Sequence, residues 1–384
     1  MIKAMNAFEM QFGRSADFVA RAPGRVEFIG NHTDYNGGEV LGAAIDRYLH
    51  VAVAGRNDSK VQFASDGDSR ILTFETVEHA VSDGQGWVKY PLGVLALLGE
   101  AGIRPHSGFD YFVSSEIPTG AGLSSSAALE LASSIAFEQL SGTSLSPLER
   151  VRLCRRAENE VVGVPCGILD QGVSGFGEKD RLVHIDCAVE NIRTVEGPRD
   201  TRLWIFESGK KHSLVDSLYA KRHSECREAL DLLRKEYPGI DNLVDVSPSD
   251  LEKMRANLAD NLYRRAKHVV EEHHRVEKCI KILETGDLEA VGKLLLDSHQ
   301  SSSKYFENSI PELDTLVDLL SHEPKVYGAR LTGGGFGGAV MALCRTDFAE
   351  EEAKRIAGQF ADIYGTPPKF RGMEISDGAG IVSL

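Results

Sequence analysis

The sequence of 384 residues predicts an α+β protein of two domains, and three observations carry that prediction. The length exceeds what a single hydrophobic core usually serves. Hydrophobic residues make up 42% of the chain and charged residues 26%, which supplies enough apolar surface for a sizeable core. Strand-like and helix-like segments alternate irregularly in both halves, whereas a doubly wound sheet would alternate them regularly. The polar stretch that holds Gly197 and Pro198 is the natural place to divide the chain, into residues 1–198 and 199–384.

The elements follow in order from local pattern. Phe18 to Ala20 and Val26 to Ile29 read as short strands on either side of a turn at Ala22-Pro23-Gly24, and Gly30 to Gly38 reads as a polar loop. Leu49 to Gly55 and Val61 to Phe63 are further strands. The loop Ile117 to Leu123 feeds Ser124-Ser125-Ser126, and Ala127 to Leu140 has the Ala, Leu and Glu content of a helix. Ser146-Pro147-Leu148-Glu149 joins a capping box to a proline at the first helical position, so a helix runs to about Val162, with Glu158 near its end and Gly163 beyond it. Leu182 to Ile185 and Leu203 to Phe206 are short apolar strands. Helices then cover roughly Leu214 to Tyr237, Ser249 to Glu284 with interruptions, Leu288 to Tyr305 and Ile310 to Leu320. Strand Tyr327 to Leu331, the glycine-rich loop Thr332 to Gly338, strand Ala339 to Cys344, helix Phe348 to Ile363 and a short final strand complete the chain.

Charge narrows the partners. Lys and Arg number 43 against 57 Asp and Glu, a net charge of −14 that repels phosphate backbones and anionic lipid, so neither nucleic acid nor a membrane surface is expected. The six cysteines form no CxxC pair, which points away from zinc or a disulfide framework and toward reducing cytosol. The N-terminus has no basic stretch followed by an apolar run, and the most apolar segment, Tyr90 to Leu98, is too short to span a bilayer; a soluble cytoplasmic protein is expected. Nothing fixes the oligomeric state, and a monomer is compatible with the sequence.

Two glycine-rich loops invite chemistry. Gly333, Gly335 and Gly338 satisfy G-x-G-x-x-G, but that fingerprint holds a dinucleotide only where it opens a helix, and a strand-like run follows here. A tight connection between strands is an equal alternative. Pro118 to Ala128 instead places hydroxyls and unpaired backbone N–H groups at the positive end of a helix, which favours a polyphosphate. A serine there can ligate Mg²⁺ beside a carboxylate, and the alternative is a serine-rich helix cap. His268, Glu272, His273 and His274 share one helix and, with no third ligand evident, read as a solvated face. Trp87 and Trp204 read as packing residues.

Together these segments resemble the GHMP family of small-molecule kinases, and within it the galactokinases, over essentially the whole chain. Arg21 to Gly38 (RAPGRVEFIGNHTDYNGG) resembles the signature usually written RAPGRVNLIGEHTDYNGG, Pro118 to Ala128 (PTGAGLSSSAA) resembles the family phosphate loop, Gly167 to Gln171 matches the GIMDQ segment, and Gly328 to Ala339 the third motif. The resemblance implies a two-domain α+β fold with the active site between the domains, and an ATP-dependent kinase, using Mg²⁺, that phosphorylates the anomeric hydroxyl of galactose or a close relative. It implies Asp170 beside the attacking hydroxyl with Arg25 orienting it, Ser126 and Glu158 as Mg²⁺ ligands, and Asn31, His32, Asp34, Gly167 and Tyr219 on the sugar. The loop Gly120, Ala121, Gly122, Leu123, Ser124, Ser125 and Ser126 would take the phosphates. A kinase for galacturonate, arabinose or an N-acetylhexosamine, and a sugar and ATP sensor, are the alternatives. The sugar-facing segments depart from the pattern: Glu27 and Asn31 stand where Asn and Glu are usual, Leu41-Gly42 replaces Leu-Pro, and Ser302-Ser303-Lys304-Tyr305 replaces Leu-Arg-Asp-Asp. If the chain stays extended after Glu27, its carboxylate lies roughly 13 Å from residue 31 and takes no part there.

Overall fold

The computed structural model describes residues 2–118, 122–164, 166–211 and 215–382. The strands are β1 (Phe18–Ile29), β2 (Glu39–Gly55), β3 (Val61–Ser65), β4 (Asp68–Phe74), β5 (Phe109–Ser115), β6 (Arg181–Asp186), β7 (Asn191–Glu196), β8 (Thr201–Lys211), β9 (Val326–Thr332), β10 (Gly337–Arg345), β11 (Lys369–Met373) and β12 (Gly380–Val382). The helices are α1 (Ile2–Phe12), α2 (Val77–Asp83), α3 (Lys89–Glu100), α4 (Ser125–Ser141), α5 (Pro147–Arg156), α6 (Leu169–Phe176), α7 (Val215–Glu236), α8 (Pro248–Lys253), α9 (Asp260–Thr285), α10 (Leu288–Ser301), α11 (Pro311–Ser321) and α12 (Glu350–Tyr364). Among the described residues no helix is long and apolar enough to cross a membrane.

The chain builds two compact units, one of Met1–Arg25, Ala44–Glu178 and Ser376–Leu384, the other of Val26–Ala43 and Lys179–Ile375. The division suggested at residue 198 falls inside the second unit, which also takes in residues 26–43 from far upstream. The reason is that β1 and β2 are long strands whose two ends serve different units.

The first unit is built on strands in the order β12-β1-β2-β5-β3-β4, with β3 and β5 parallel and β2–β5 and β3–β4 antiparallel. Phe137 of α4 packs its ring on Phe109 and Tyr111 of β5 at 5.4 and 6.0 Å, and the Tyr111 hydroxyl meets Ser133 Oγ at 2.8 Å. Burying such a side chain contributes about 1.5–3 kcal/mol, so α4 is firmly seated on the sheet and its N-terminus has a fixed position. The predicted turn at Ala22-Pro23-Gly24 is not a turn: β1 runs unbroken from Phe18 to Ile29. Gly24 is there for close approach, since a Cβ would come within 2.8 Å of the Leu123 carbonyl oxygen, to which the next residue, Arg25, donates its backbone N–H at 3.1 Å. The capping box at Ser146 and Glu149 forms, and after Arg156 the helix continues as one wider turn, Ala157–Val162, that ends at Gly163 in the left-handed region.

In the second unit, residues 39–42 of β2 pair antiparallel with β6, and β6 with β7. Strand β7 went unread because only Ile192 and Val195 of its six residues are apolar, and they do not alternate. A four-stranded antiparallel sheet, β11-β8-β10-β9, is covered by α11 and α12 through Trp204, Phe206, Leu316, Leu320, Phe348, Ile356 and Phe360. A further apolar cluster joins α7 and α9 through Cys226, Leu233, Leu262 and Val269, with Phe306 beneath. The loop 333–336 enters strand β10 and opens no helix, in keeping with its exclusion as a dinucleotide fingerprint.

Candidate active site

In the first unit, the seated N-terminus of α4 is the organising feature. Ser124 precedes it in the left-handed region (φ 55°) and makes no side-chain cap, so the reading of these serines as a helix cap does not hold for Ser124. Its hydroxyl donates to Asp170 Oδ2 at 2.5 Å. Asp170, in the first turn of α6, accepts at its other oxygen from Arg25 Nε at 2.8 Å and Nη2 at 2.5 Å. Arg25 Nη1 donates to the Gly122 carbonyl at 2.7 Å, and its side chain is 9% exposed against 26% for Asp170. Arginine thus ties together the end of the loop and the first turn of α6, and leaves the carboxylate accessible at the foot of the helix. Gly122 is left-handed (φ 70°) and exposed, Leu123 is buried, and Ser125 and Ser126 begin α4 half-buried. Gly120 and Ala121 lie outside the described residues. Gly167 lies three residues before Asp170 in this same unit.

A second set of oxygens sits beside the first. Glu158, on the wider turn after α5, is 5% exposed and accepts from Gln171 Nε2 at 2.6 Å and Cys166 Sγ at 3.3 Å. Burial raises its pKa, while the Ser126 hydroxyl, hydrogen-bonded to it, pulls the other way. Gln171 also donates to Glu130 at 3.0 Å, and burial together with the neighbouring Glu158 charge pushes Glu130 up to about 9. A buried carboxylate with the Ser126 hydroxyl at hand is a donor set that suits a hard divalent cation. Glu130 escaped sequence reasoning because a helical Ala-Leu-Glu run gives no sign that its acid faces inward, and Gln171 was read only as the end of a motif, with no role.

In the second unit, Asn31, His32, Asp34 and Tyr219 come together around the loop after β1. Gly30 turns the chain (φ 113°), with a Cβ there 2.8 Å from the Val40 Cα, and His32 follows in the left-handed region at φ 61°. Thr33 Oγ1 donates to the Gly30 and Glu39 carbonyls, and Asn36 Nδ2 to the His32 carbonyl, which close the loop on itself. The His32 ring stacks on Phe306 at 4.3 Å and lies 5.3 Å from Tyr219; its nitrogens meet Tyr35 OH at 2.9 Å and the Gly334 carbonyl at 3.1 Å. Burial, then the nearby His268, lowers its pKa to about 3, so the ring is neutral at physiological pH. Asp34 is half-buried in the single 3₁₀ turn Asp34–Asn36.

Two expectations fail here. Glu27 is not remote: the turn at Gly30 folds the chain back, and Glu27 Oε1 accepts from Asn31 Nδ2 at 3.0 Å. His268 and Glu272 are not on a solvated face, for both are 0% exposed. Glu272 Oε1 accepts the backbone N–H groups of Gly30 and Asn31 at 3.1 Å each and the Ser298 hydroxyl at 2.6 Å, and His268 Nε2 meets the Asn31 carbonyl at 2.9 Å. Burial alone would raise the Glu272 pKa, but Arg275, His268 and Arg330 bring it well below the usual carboxylate range.

Comparison with known proteins shows the family and the fold. Residues 6–55 match the galactokinase galactose-binding signature, 89–178 the GHMP kinase N-terminal domain and 278–362 the GHMP kinase C-terminal domain. A galactokinase of Chloroflexus aurantiacus is 37% identical over 98% of this chain and 95% of its own length, and one of Chloroflexus aggregans is 40% identical over 92% and 90%. The Lactococcus lactis galactokinase, solved with galactose, superposes with a TM-score of 0.91 at 33% identity, covering 99% of each chain. The Methanococcus jannaschii mevalonate kinase shares the fold, with a TM-score of 0.69 at 20% identity over 95% of this chain and all of that one.

Proposed function

The chain belongs to the GHMP kinase family, and on that premise we propose that it transfers the terminal phosphoryl group of ATP to the anomeric hydroxyl of galactose. The observation that carries the proposal is the Arg25–Asp170–Ser124 constellation at the N-terminus of α4. It supplies in one place what phosphoryl transfer asks of a protein, namely a positioned proton acceptor and a positive end for phosphate charge.

In this reading the C1 hydroxyl of the sugar gives its proton to an oxygen of Asp170 as the bond from that hydroxyl oxygen to the γ-phosphorus forms. The bond from that phosphorus to the β–γ bridging oxygen breaks, and ADP leaves with its electrons. Arg25 and Ser124 hold the carboxylate in a single orientation, which matters more than basicity where the transition state is loose. The backbone N–H groups at the start of α4 face phosphate oxygens. Ser126 and Glu158 would hold Mg²⁺, which when bound offsets phosphate charge. His32, Asp34 and Tyr219 hold the sugar, with Gly167 close to the reacting hydroxyl, and a neutral His32 acts as a hydrogen-bonding and stacking surface. Cytoplasmic work as a monomer fits the reading and nothing in it demands a partner chain.

The test is an ADP-release assay with Mg·ATP over galactose, galacturonate, arabinose and N-acetylgalactosamine. Turnover highest with galactose supports the proposal. Absence of turnover with every sugar, from protein that binds ATP, refutes it and favours a sensor.

A further inference from the structure

Helices α9 and α10 and the turn that follows α10 enclose a cleft of about 440 Å³, which lies wholly in the second unit and is lined by no residue of the proposed reaction. Its wall carries three cationic side chains, Arg275 and Lys278 from α9 and Lys304 from the turn. Among the described residues neither lysine forms an ion pair. Arg275 donates its Nε to Glu272 Oε2 at 2.6 Å, and its Nη2 finds no hydrogen-bond acceptor among the described residues. Of the two acids in the wall, Glu271 is held by Lys267 at 2.5 Å, which leaves Asp297 as the one acid facing the three cations. On a chain of net charge −14, this is a local reversal of sign.

The reversal arises where the sequence departs from the galactokinase pattern, since Lys304 and Tyr305 stand in place of Asp-Asp. Two aspartates there would neutralise Arg275 and Lys278; the exchange replaces two negative charges by one positive charge and a neutral ring. The Tyr305 ring has the Lys304 and Lys267 ammonium groups 5.3 and 5.4 Å from its centroid, a contact that holds Lys304 without cancelling its charge. Charge asks for an anion, and the rest of the wall narrows the kind. One guanidinium and two ammonium groups suit a phosphate. Beside them the exposed Asp297 and Gln300 offer a carboxylate and an amide, the groups that take hydroxyls, in a volume larger than a bare phosphate fills.

Two wall residues reach the loop that carries His32 and Asp34 through one intermediate each. Arg275 holds Glu272, whose other oxygen accepts the backbone N–H groups of Gly30 and Asn31 at 3.1 Å each. Ser301 Oγ meets His268 Nδ1 at 2.9 Å, and His268 Nε2 meets the Asn31 carbonyl at 2.9 Å. An anion seated against Arg275 competes with Glu272 for the guanidinium, and Glu272 then holds the loop less firmly. We propose that the α9–α10 cleft is a second ligand site, that it binds a small phosphorylated sugar or polyol, and that its occupation relaxes residues 30–34 and so weakens sugar binding. The site and the relaxation of the loop stand apart from the sugar-kinase reading, and only the effect on sugar binding rests on it.

Glycerol 3-phosphate, glucose 6-phosphate and inorganic phosphate are titrated by calorimetry into wild type, Lys278→Gln/Lys304→Gln and Lys278→Arg/Lys304→Arg. Both lysines are exposed, so each variant should keep the unfolding midpoint of wild type. Hydrogen exchange at the Gly30 and Asn31 amides is followed by NMR with and without the ester, and galactose affinity is measured in the same two states. The esters should bind wild type more tightly than inorganic phosphate does, should bind the glutamine variant at least about tenfold more weakly, and should bind the arginine variant as well as wild type. With the ester bound, the two amides should exchange at least about fivefold faster and galactose affinity should fall by a similar factor, in wild type and not in the glutamine variant. Absence of ester binding, equal affinity in the glutamine variant, inorganic phosphate binding as tightly as the esters, or exchange at Gly30 and Asn31 unmoved by the ester would each overturn the proposal. Ester binding and faster exchange in a protein that binds no galactose would sink the sugar-kinase reading and leave the second site standing, whereas galactose turnover without ester binding would do the reverse.

Discussion

In the proposed reaction Asp170 is the residue on which the chemistry turns, and its neighbours account for how it would act. Three donors fix its carboxylate, so Asp170→Asn keeps the shape of the site while the amide can no longer take a proton; kcat should fall by about 10² to 10⁴ with the unfolding midpoint little changed. Arg25→Lys should also lose rate, since an ammonium cannot hold Asp170 and the Gly122 carbonyl at once through a planar fork. Ser126→Ala and Glu158→Gln should each raise the Mg²⁺ concentration needed for half-maximal activity, and a Mg²⁺ dependence like that of wild type in both would remove them from the metal site. The histidines make a pH prediction with a definite sign. His32 and His268 titrate near 3 and 4 in the folded protein, both lowered first by burial, and near 6.5 when unfolded. Between those values the unfolded chain binds more protons, so their contribution is full above about pH 6.5 and is lost as pH falls toward 4, at on the order of 1 kcal/mol per imidazole by pH 5. Urea midpoints measured from pH 7 to 5 should drop more steeply in wild type than in His32→Gln/His268→Gln; equal slopes would contradict it. Sequence reading named Asp170, Arg25, Ser126, Glu158 and His32, because motifs preserve residue type and spacing. It misplaced Glu27 and His268, because the fold-back at Gly30 and the inward face of a 26-residue helix are set by tertiary packing.

At the scale of elements, local chemistry was legible wherever a cap or a long apolar period wrote it. The Ser146–Glu149 capping box, helix α4 and the helical end before Gly163 stand where the sequence puts them, though the last turn is wider than an α-helix. Pro23-Gly24 misled because the same dipeptide serves a turn or a close backbone approach, and only the neighbouring Leu123 carbonyl decides which. That contact makes a prediction. Gly24→Ala must push Leu123 away from β1, so it should destabilise by about 1–3 kcal/mol and also lower kcat, because the displaced segment carries Gly122 and Ser124. Denaturant titration and steady-state rates measured together check it, and a destabilised variant with wild-type kcat would show that the strand and the loop are not mechanically linked.

For the whole molecule, the α+β class and the two-part organisation follow from length, composition and irregular alternation, while the interleaved makeup of the units does not, since contact between residues 26–43 and the chain beyond 179 is a property of long strands that no local window reports. The net charge of −14 sets no specificity but makes anionic phosphates dependent on the local positive features, Arg25 and the α4 N-terminus, so Mg·ATP should stabilise the protein against unfolding and EDTA should abolish the effect. The central claim is that Asp170 receives the proton of a sugar anomeric hydroxyl during transfer from ATP. Its most direct test is ³¹P NMR of the product made from galactose and Mg·ATP by wild type and Asp170→Asn at equal, folded concentrations. The account predicts an anomeric sugar phosphate from wild type and less than about a hundredth of that rate from the variant. A variant that keeps more than about a tenth of the rate, or a phosphate on any other hydroxyl, would contradict it.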